Sequence, residues 1–83
     1  MESKPMTKKD KPVLKDAAKL FTEKELQVIR LICAQLSNKE IGMKLKKSLR
    51  TVEGYRGAIQ RKMKVKNTVG LVIYAIKNGI YRI

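Results

Sequence analysis

The chain has 83 residues, 20 Lys and Arg against 7 Asp and Glu, a net charge of +13 and 43% hydrophobic residues. That length holds one small domain, near the size at which a single core is marginal. A single cysteine rules out an internal disulfide. The chain has no histidine. That removes the usual proton shuttle, the Ser-His and Cys-His nucleophile pairs and most zinc sites. No nucleophile–base pair or ligand cluster can be assembled from what remains, so an enzyme, a metal site and a cofactor are not expected. No run approaches the ~18 apolar residues of a membrane span. The charged N-terminus lacks the apolar stretch of a signal peptide, and a cytoplasmic protein is expected.

Residues 1–21, MESKPMTKKDKPVLKDAAKLF, carry two prolines and six lysines, with little periodicity before Val13. They read as a flexible basic tail or interdomain linker, with Val13 to Phe21 forming a turn of helix or packing loosely on the domain. The domain itself is expected over 22–83.

The segment TEKE opens the first helix. Thr22 as N-cap and Glu25 three residues later make a capping box, and Glu23 and Glu25 suit the positive end of the helix dipole. Leu26, Ile29, Ile32, Cys33 and Leu36 form its apolar stripe, in which Cys33 serves as a small core residue. SNKE repeats the capping-box spacing with Ser37 and Glu40. It starts a short second helix of about eight residues, carrying the pair Ile41 and Leu45.

The turn KKS leads into the third helix, about 49–63, with Ser48 as N-cap. On a wheel of ~100° per residue, Tyr55, Ile59 and Met63 fall within roughly 60° of Val52 and form with it the core stripe. Gly54 and Gly57 fall on the far side with Arg50, Glu53, Arg61 and Lys64. Each interior glycine costs a helix roughly 0.8–1 kcal/mol relative to alanine, so this face is either one that something else approaches closely or simply an exposed helix face of poor propensity. A short helix, a tight turn and a longer basic helix follow the plan of a helix-turn-helix.

Asn67 caps a fourth helix from Thr68 to about Asn78, with Gly79 as the residue that ends it. Leu71, Val72 and Ala75 make one apolar face, and Val69, Ile73 and Ile76 a second beside it. A domain this small rarely surrounds a helix, so the second face is expected to meet a second partner.

Charge is uneven along the chain. Residues 37–66 hold ten Lys and Arg against Glu40 and Glu53, while the last seventeen residues hold only Lys77 and Arg82. A basic block inside a folded segment points to a polyanion.

The span FTEKELQVIRLICAQLSNKEIGMKLKKSLRTVEGYRGAIQRKMKVKNTVGLVIYAIKNGI, about residues 21–80, resembles the LuxR/FixJ-type (GerE-like) helix-turn-helix domain. The matches are Thr22, Glu25, Leu36-Ser37-Asn38-Lys39-Glu40-Ile41, Leu45, Ser48, Thr51-Val52, Lys62, Val65 and Asn67. Within that family it looks most like the C-terminal effector domain of a two-component response regulator. The resemblance implies an all-α fold of four helices, the third in the major groove of double-stranded DNA and the fourth at a homodimer contact. It implies transcription regulation, with RNA polymerase as a candidate partner.

Residue roles follow from that resemblance. Glu53, Gly54 and Gly57 match the groove-facing positions, aided by Arg50 and Arg56 for base readout. Lys39, Thr51, Arg61, Lys62 and Lys66 are expected on phosphates. Val69, Ile73 and Ile76 are expected at a two-fold dimer contact, small enough for pairing to wait for DNA or for a further domain that brings two copies together.

Three departures from the family pattern stand out. Gly42 occupies a usual alanine position and should loosen the second helix. Lys46 and Lys47 replace a more apolar pair, leaving Leu49 to pack the turn. Tyr55 replaces a histidine on the core side. Since family members carry a sensing domain that 83 residues cannot also hold, a fragment of a longer regulator is expected, with a stand-alone regulator as the alternative. A basic helical module binding an acidic protein is the reading from a different class. An RNA binder would want exposed aromatics for stacking, and the chain offers only Phe21, Tyr55, Tyr74 and Tyr81.

Overall fold

A computed structural model of the chain describes residues 19–82. Four helices carry the fold: α1 (Glu23–Cys33), α2 (Asn38–Leu45), α3 (Leu49–Met63) and α4 (Thr68–Lys77). The tail expected over 1–12 and the stretch Val13 to Ala18 lie outside the described residues, as does Ile83.

Every helix begins where a short polar side chain can take up an orphan N–H. Thr22 accepts from the Glu25 N–H and Ser37 from the Glu40 N–H, and both capping boxes are closed reciprocally by the glutamate. Ser48 accepts from the Thr51 N–H and Asn67 from the Gly70 N–H. Each such cap stabilises its helix by about 1 kcal/mol.

The four helices also end alike. Gln35, Lys46, Lys64 and Gly79 take positive φ, at 73°, 58°, 60° and 73°. In each case the next N–H reaches back to a carbonyl five residues earlier: Leu36 to Leu31, Lys47 to Gly42, Val65 to Gln60 and Ile80 to Ala75. This is the Schellman arrangement, which usually adds an apolar contact from the residue after the left-handed one. Leu36, Val65 and Ile80 are partly or fully buried against the core. Lys47 is exposed, so the end of α2 closes without such a contact.

What closes it is Gly42. This residue is buried, and a Cβ there would lie 2.7 Å from the backbone oxygen of Lys47 and 3.6 Å from a methyl of Val52. The glycine therefore tightens the turn between α2 and α3, correcting the expectation that it loosens α2. Leu49 does not pack the turn either; it is 50% exposed. Backbone proximity at Gly42 takes the place of an apolar plug.

The core forms where the helix stripes meet. Val28, Ile29, Ile41, Val52, Ile59, Leu71 and Ala75 are fully buried. Fully burying a Val, Leu or Ile side chain contributes about 1.5–3 kcal/mol. Val28 had no place in the expected stripe of α1; it is buried because α1 packs against α3 on one side and α4 on another. Phe21 also belongs to the core. It is 5% exposed and meets Tyr74 edge-on at 6.2 Å, so the domain begins before the expected boundary at residue 22. Cys33 is buried, and burial pushes its thiol pKa up, which suits a core residue.

Gly42→Ala tests the closure of the turn. Helix propensity alone would favour alanine by roughly 1 kcal/mol. The approach of the Lys47 carbonyl instead predicts a net loss of about 1–3 kcal/mol from overpacking, read as a lower urea midpoint. A higher midpoint would mean that the turn yields freely.

Candidate nucleic-acid interface

The third helix presents two unlike sides. Val52, Ile59 and Met63 are buried and Tyr55 is partly buried, packed on the core. Arg50, Thr51, Glu53, Gly54, Arg61 and Lys64 are exposed. A Cβ on Gly54 would meet nothing within 4 Å. Gly54 thus faces open space, and nothing inside the domain requires a glycine there.

The expected contact residues divide into two groups. Arg50, Glu53, Gly54, Thr51, Arg61 and Lys66 lie exposed on α3 or just beyond it, with Gly57 half-exposed. Lys39 is exposed in the first turn of α2. The Ser37 cap satisfies the Glu40 N–H, leaving the N–H groups of Asn38 and Lys39 without an intrahelical acceptor. A phosphate could take them.

Arg56 and Lys62 stand apart from this face. Arg56 donates to the Thr68 hydroxyl at 2.6 Å and so ties α3 to the start of α4. It was expected in base readout; ~40° from Val52 on the wheel, it flanks the core stripe instead of opposing it. Lys62 donates to Oε1 of Glu25 at 2.7 Å and lies 5.9 Å from the centre of the Phe21 ring. It was expected on a phosphate; ~80° from Val52, it flanks the stripe on the opposite side. Its ammonium is committed to a carboxylate whose side chain is only 8% exposed.

Glu25 is the group that reading for caps alone undervalues. Its Oε1 accepts from the Thr22 N–H at 2.9 Å as well as from Lys62. Burial works to raise its pKa. The bonds from Lys62 and Thr22, and the Lys62 charge, outweigh burial and hold the carboxyl below its ordinary value of 4.5. A single side chain therefore caps α1 and fastens the C-terminal end of α3 to it.

On α4 the two expected faces separate. Leu71 and Ala75 are fully buried, with Val72 partly so, whereas Val69, Ile73 and Ile76 are 66%, 49% and 37% exposed. Ile80 is buried and Tyr81 packs on the core, yet neither covers this second face.

The profile of bacterial regulatory proteins of the luxR family matches residues 19–75. The chain belongs to that family. This luxR-family domain is 37% identical over 65 residues to the oxygen regulatory protein NreC of Staphylococcus aureus (strain JH9). It is 35% identical over 65 residues to the protein of the same name from Staphylococcus carnosus (strain TM300). Each match covers 78% of this chain and 30% of the relative, so the chain spans under a third of those proteins' length. As a luxR-family helix-turn-helix it is a DNA-binding domain of transcription regulation. Among the described residues, no helix is long and apolar enough to cross a membrane.

The Glu25–Lys62 pair predicts a stability effect where the phosphate reading predicts a binding effect. Lys62→Ala leaves a buried carboxylate short of a partner, which costs about 1–3 kcal/mol. In a double-mutant cycle with Glu25→Gln, the two losses should fall short of additivity by about 0.5–3 kcal/mol. Because the folded pKa of Glu25 is depressed, its contribution is full above about pH 4.5 and is lost as pH falls through the lower folded value. Glu25→Gln should flatten that acid limb of the stability curve. Additive losses with an unchanged acid limb would dissolve the pair.

Proposed function

We propose that this domain binds double-stranded DNA as the effector domain of a longer two-component response regulator, with α3 in the major groove. The observation that carries the proposal is the exposed strip Arg50, Glu53, Gly54, Gly57, Arg61 on the side of α3 opposite the core. With no side chain at 54 or 57, the backbone can approach base edges closely. Glu53 suits a cytosine N4 and Arg50 a guanine. Lys39, Thr51 and Lys66 fit phosphates, which set register without reading sequence.

Val69, Ile73 and Ile76 suit a two-fold contact between fourth helices, which is self-complementary by symmetry. Two recognition helices about one DNA turn apart, ~34–36 Å, call for a palindromic site. Three half-exposed side chains make a small contact, consistent with pairing on DNA or when other domains bring two copies together. RNA polymerase is the further partner a transcription regulator needs.

Selection of bound sequences from a random duplex pool tests this reading, which requires one enriched, two-fold-symmetric site. Lys39→Ala and Lys66→Ala should each weaken all duplexes alike and make the salt slope shallower by ~1. Lys62→Ala should leave the slope unchanged, since its charge is already paired. Ile73→Lys should spare the folded monomer and abolish cooperative occupancy of two half-sites. Unfolding by that variant would assign Ile73 to the core and the dimer contact elsewhere.

A further inference from the structure

The bare strip of α3 has an arginine at each end, and the two are not equivalent. A Cβ on Gly54 would stand in open space, but one on Gly57 would lie 3.4 Å from Nη1 of Arg61. The guanidinium of Arg61 is therefore folded back over Gly57, one turn towards the N-terminus of the helix. That is the direction long helical side chains take. A Cβ at 57 would just touch the guanidinium, and a larger side chain would compete with it for the same space. Arg61 is exposed, and among the described residues its guanidinium has neither an ion-pair nor a hydrogen-bond partner. The ordinary helical rotamer thus carries the guanidinium towards residue 57, and the glycine leaves that path bare.

We propose that Arg61 is a base-reading residue, its guanidinium delivered across Gly57 to donate to O6 and N7 of a guanine in the major groove. The proposal rests on the reading of α3 as the groove helix and replaces the phosphate role that the sequence pattern suggested for Arg61. Two features favour a base. Arg61 lies ~180° around the helix from Val52, on the crest that meets the groove floor, whereas residues at the flanks meet the phosphate walls. And its planar fork matches the paired acceptors of guanine, the commonest specific arginine contact. The glycine and the arginine then act together: position 57 supplies the space and position 61 the donor.

The test compares sequence selection from a random duplex pool by the full chain, Arg61→Ala and Gly57→Leu. Circular dichroism confirms that both variants fold, as exposed or half-exposed positions should. The parent is expected to require a guanine at one position of each half-site. Arg61→Ala should keep the rest of the site but lose that preference, with a drop of about 5- to 150-fold on the parent's best sequence. Gly57→Leu keeps every charge and should lose the same guanine, because leucine takes the space the guanidinium needs. If Arg61→Ala weakens all duplexes equally and selects the same site, Arg61 contacts phosphate and the proposal falls. If Gly57→Leu retains the guanine, the delivery across residue 57 falls. If the parent enriches no sequence at all, the groove reading of α3 fails first and takes this inference with it.

Discussion

The backbone oxygen of Lys47 comes within 2.7 Å of the point where Gly42 would carry a Cβ, and the direction in which α3 leaves α2 follows from that approach. The turn holds Lys46 at φ 58°, a left-handed conformation that costs a non-glycine residue roughly 1–2 kcal/mol. It lacks the apolar residue that closes the other three helix ends. Offsetting this are the Lys47 N–H bond to the Gly42 carbonyl at 2.8 Å and the contact of Gly42 with Val52, itself fully buried. Val52 belongs to the stripe that sets how α3 is rotated. A side chain at 42 would have to move the Lys47 carbonyl, and that shift would re-aim the outward strip.

Electrostatics sorts the basic residues into two populations. A net charge of +13 opposes compaction while it attracts a polyanion. Pairing Lys62 with buried Glu25 removes one charge from that repulsion and uses it to hold the end of α3 on α1. Such a pair is weak evidence for large net stability, because desolvation offsets much of the attraction; removing only one partner is what costs. Phe21 lies beside the same ammonium and edge-on to Tyr74. Phe21, two residues before α1, thereby lies beside side chains of both α3 and α4.

Helix starts were legible because a cap is a local device: a serine, threonine or asparagine and an N–H three residues on suffice to specify it. Three of the helix ends were less so, since Gln35, Lys46 and Lys64 take left-handed conformations without the glycine that marks Gly79. The core stripe of α3 was legible from its period. The ties of Arg56 and Lys62 were not legible because the resemblance assigns roles by position along the chain: at ~40° and ~80° from Val52 they border the core, where a long side chain reaches Thr68 or Glu25. Even with the angle, those acceptors come from helices far away in sequence. Gly42 was misjudged for a related reason. Propensity describes a helix alone, whereas here the neighbouring carbonyl decides. The posture of Arg61 had no sequence signal beyond the spacing of four residues from Gly57.

Two glycines near the middle of α3 cost this helix roughly 2 kcal/mol in propensity, and the helix persists because its other side is held. The Ser48 cap fixes its start, Val52 and Ile59 are fully buried, and Lys62 and Arg56 tie its flanks to α1 and α4. Removing side chains from the outward strip therefore leaves a rigid backbone with a smooth surface. Recognition then falls to long side chains at the ends of the strip, and each flexible arginine ordered on binding costs about 0.5–1.5 kcal/mol. A guanidinium already lying across Gly57 has part of that ordering in place before DNA arrives. The same glycine that weakens the isolated helix thus narrows the freedom of the group that reads, and the tertiary ties on the opposite face allow both.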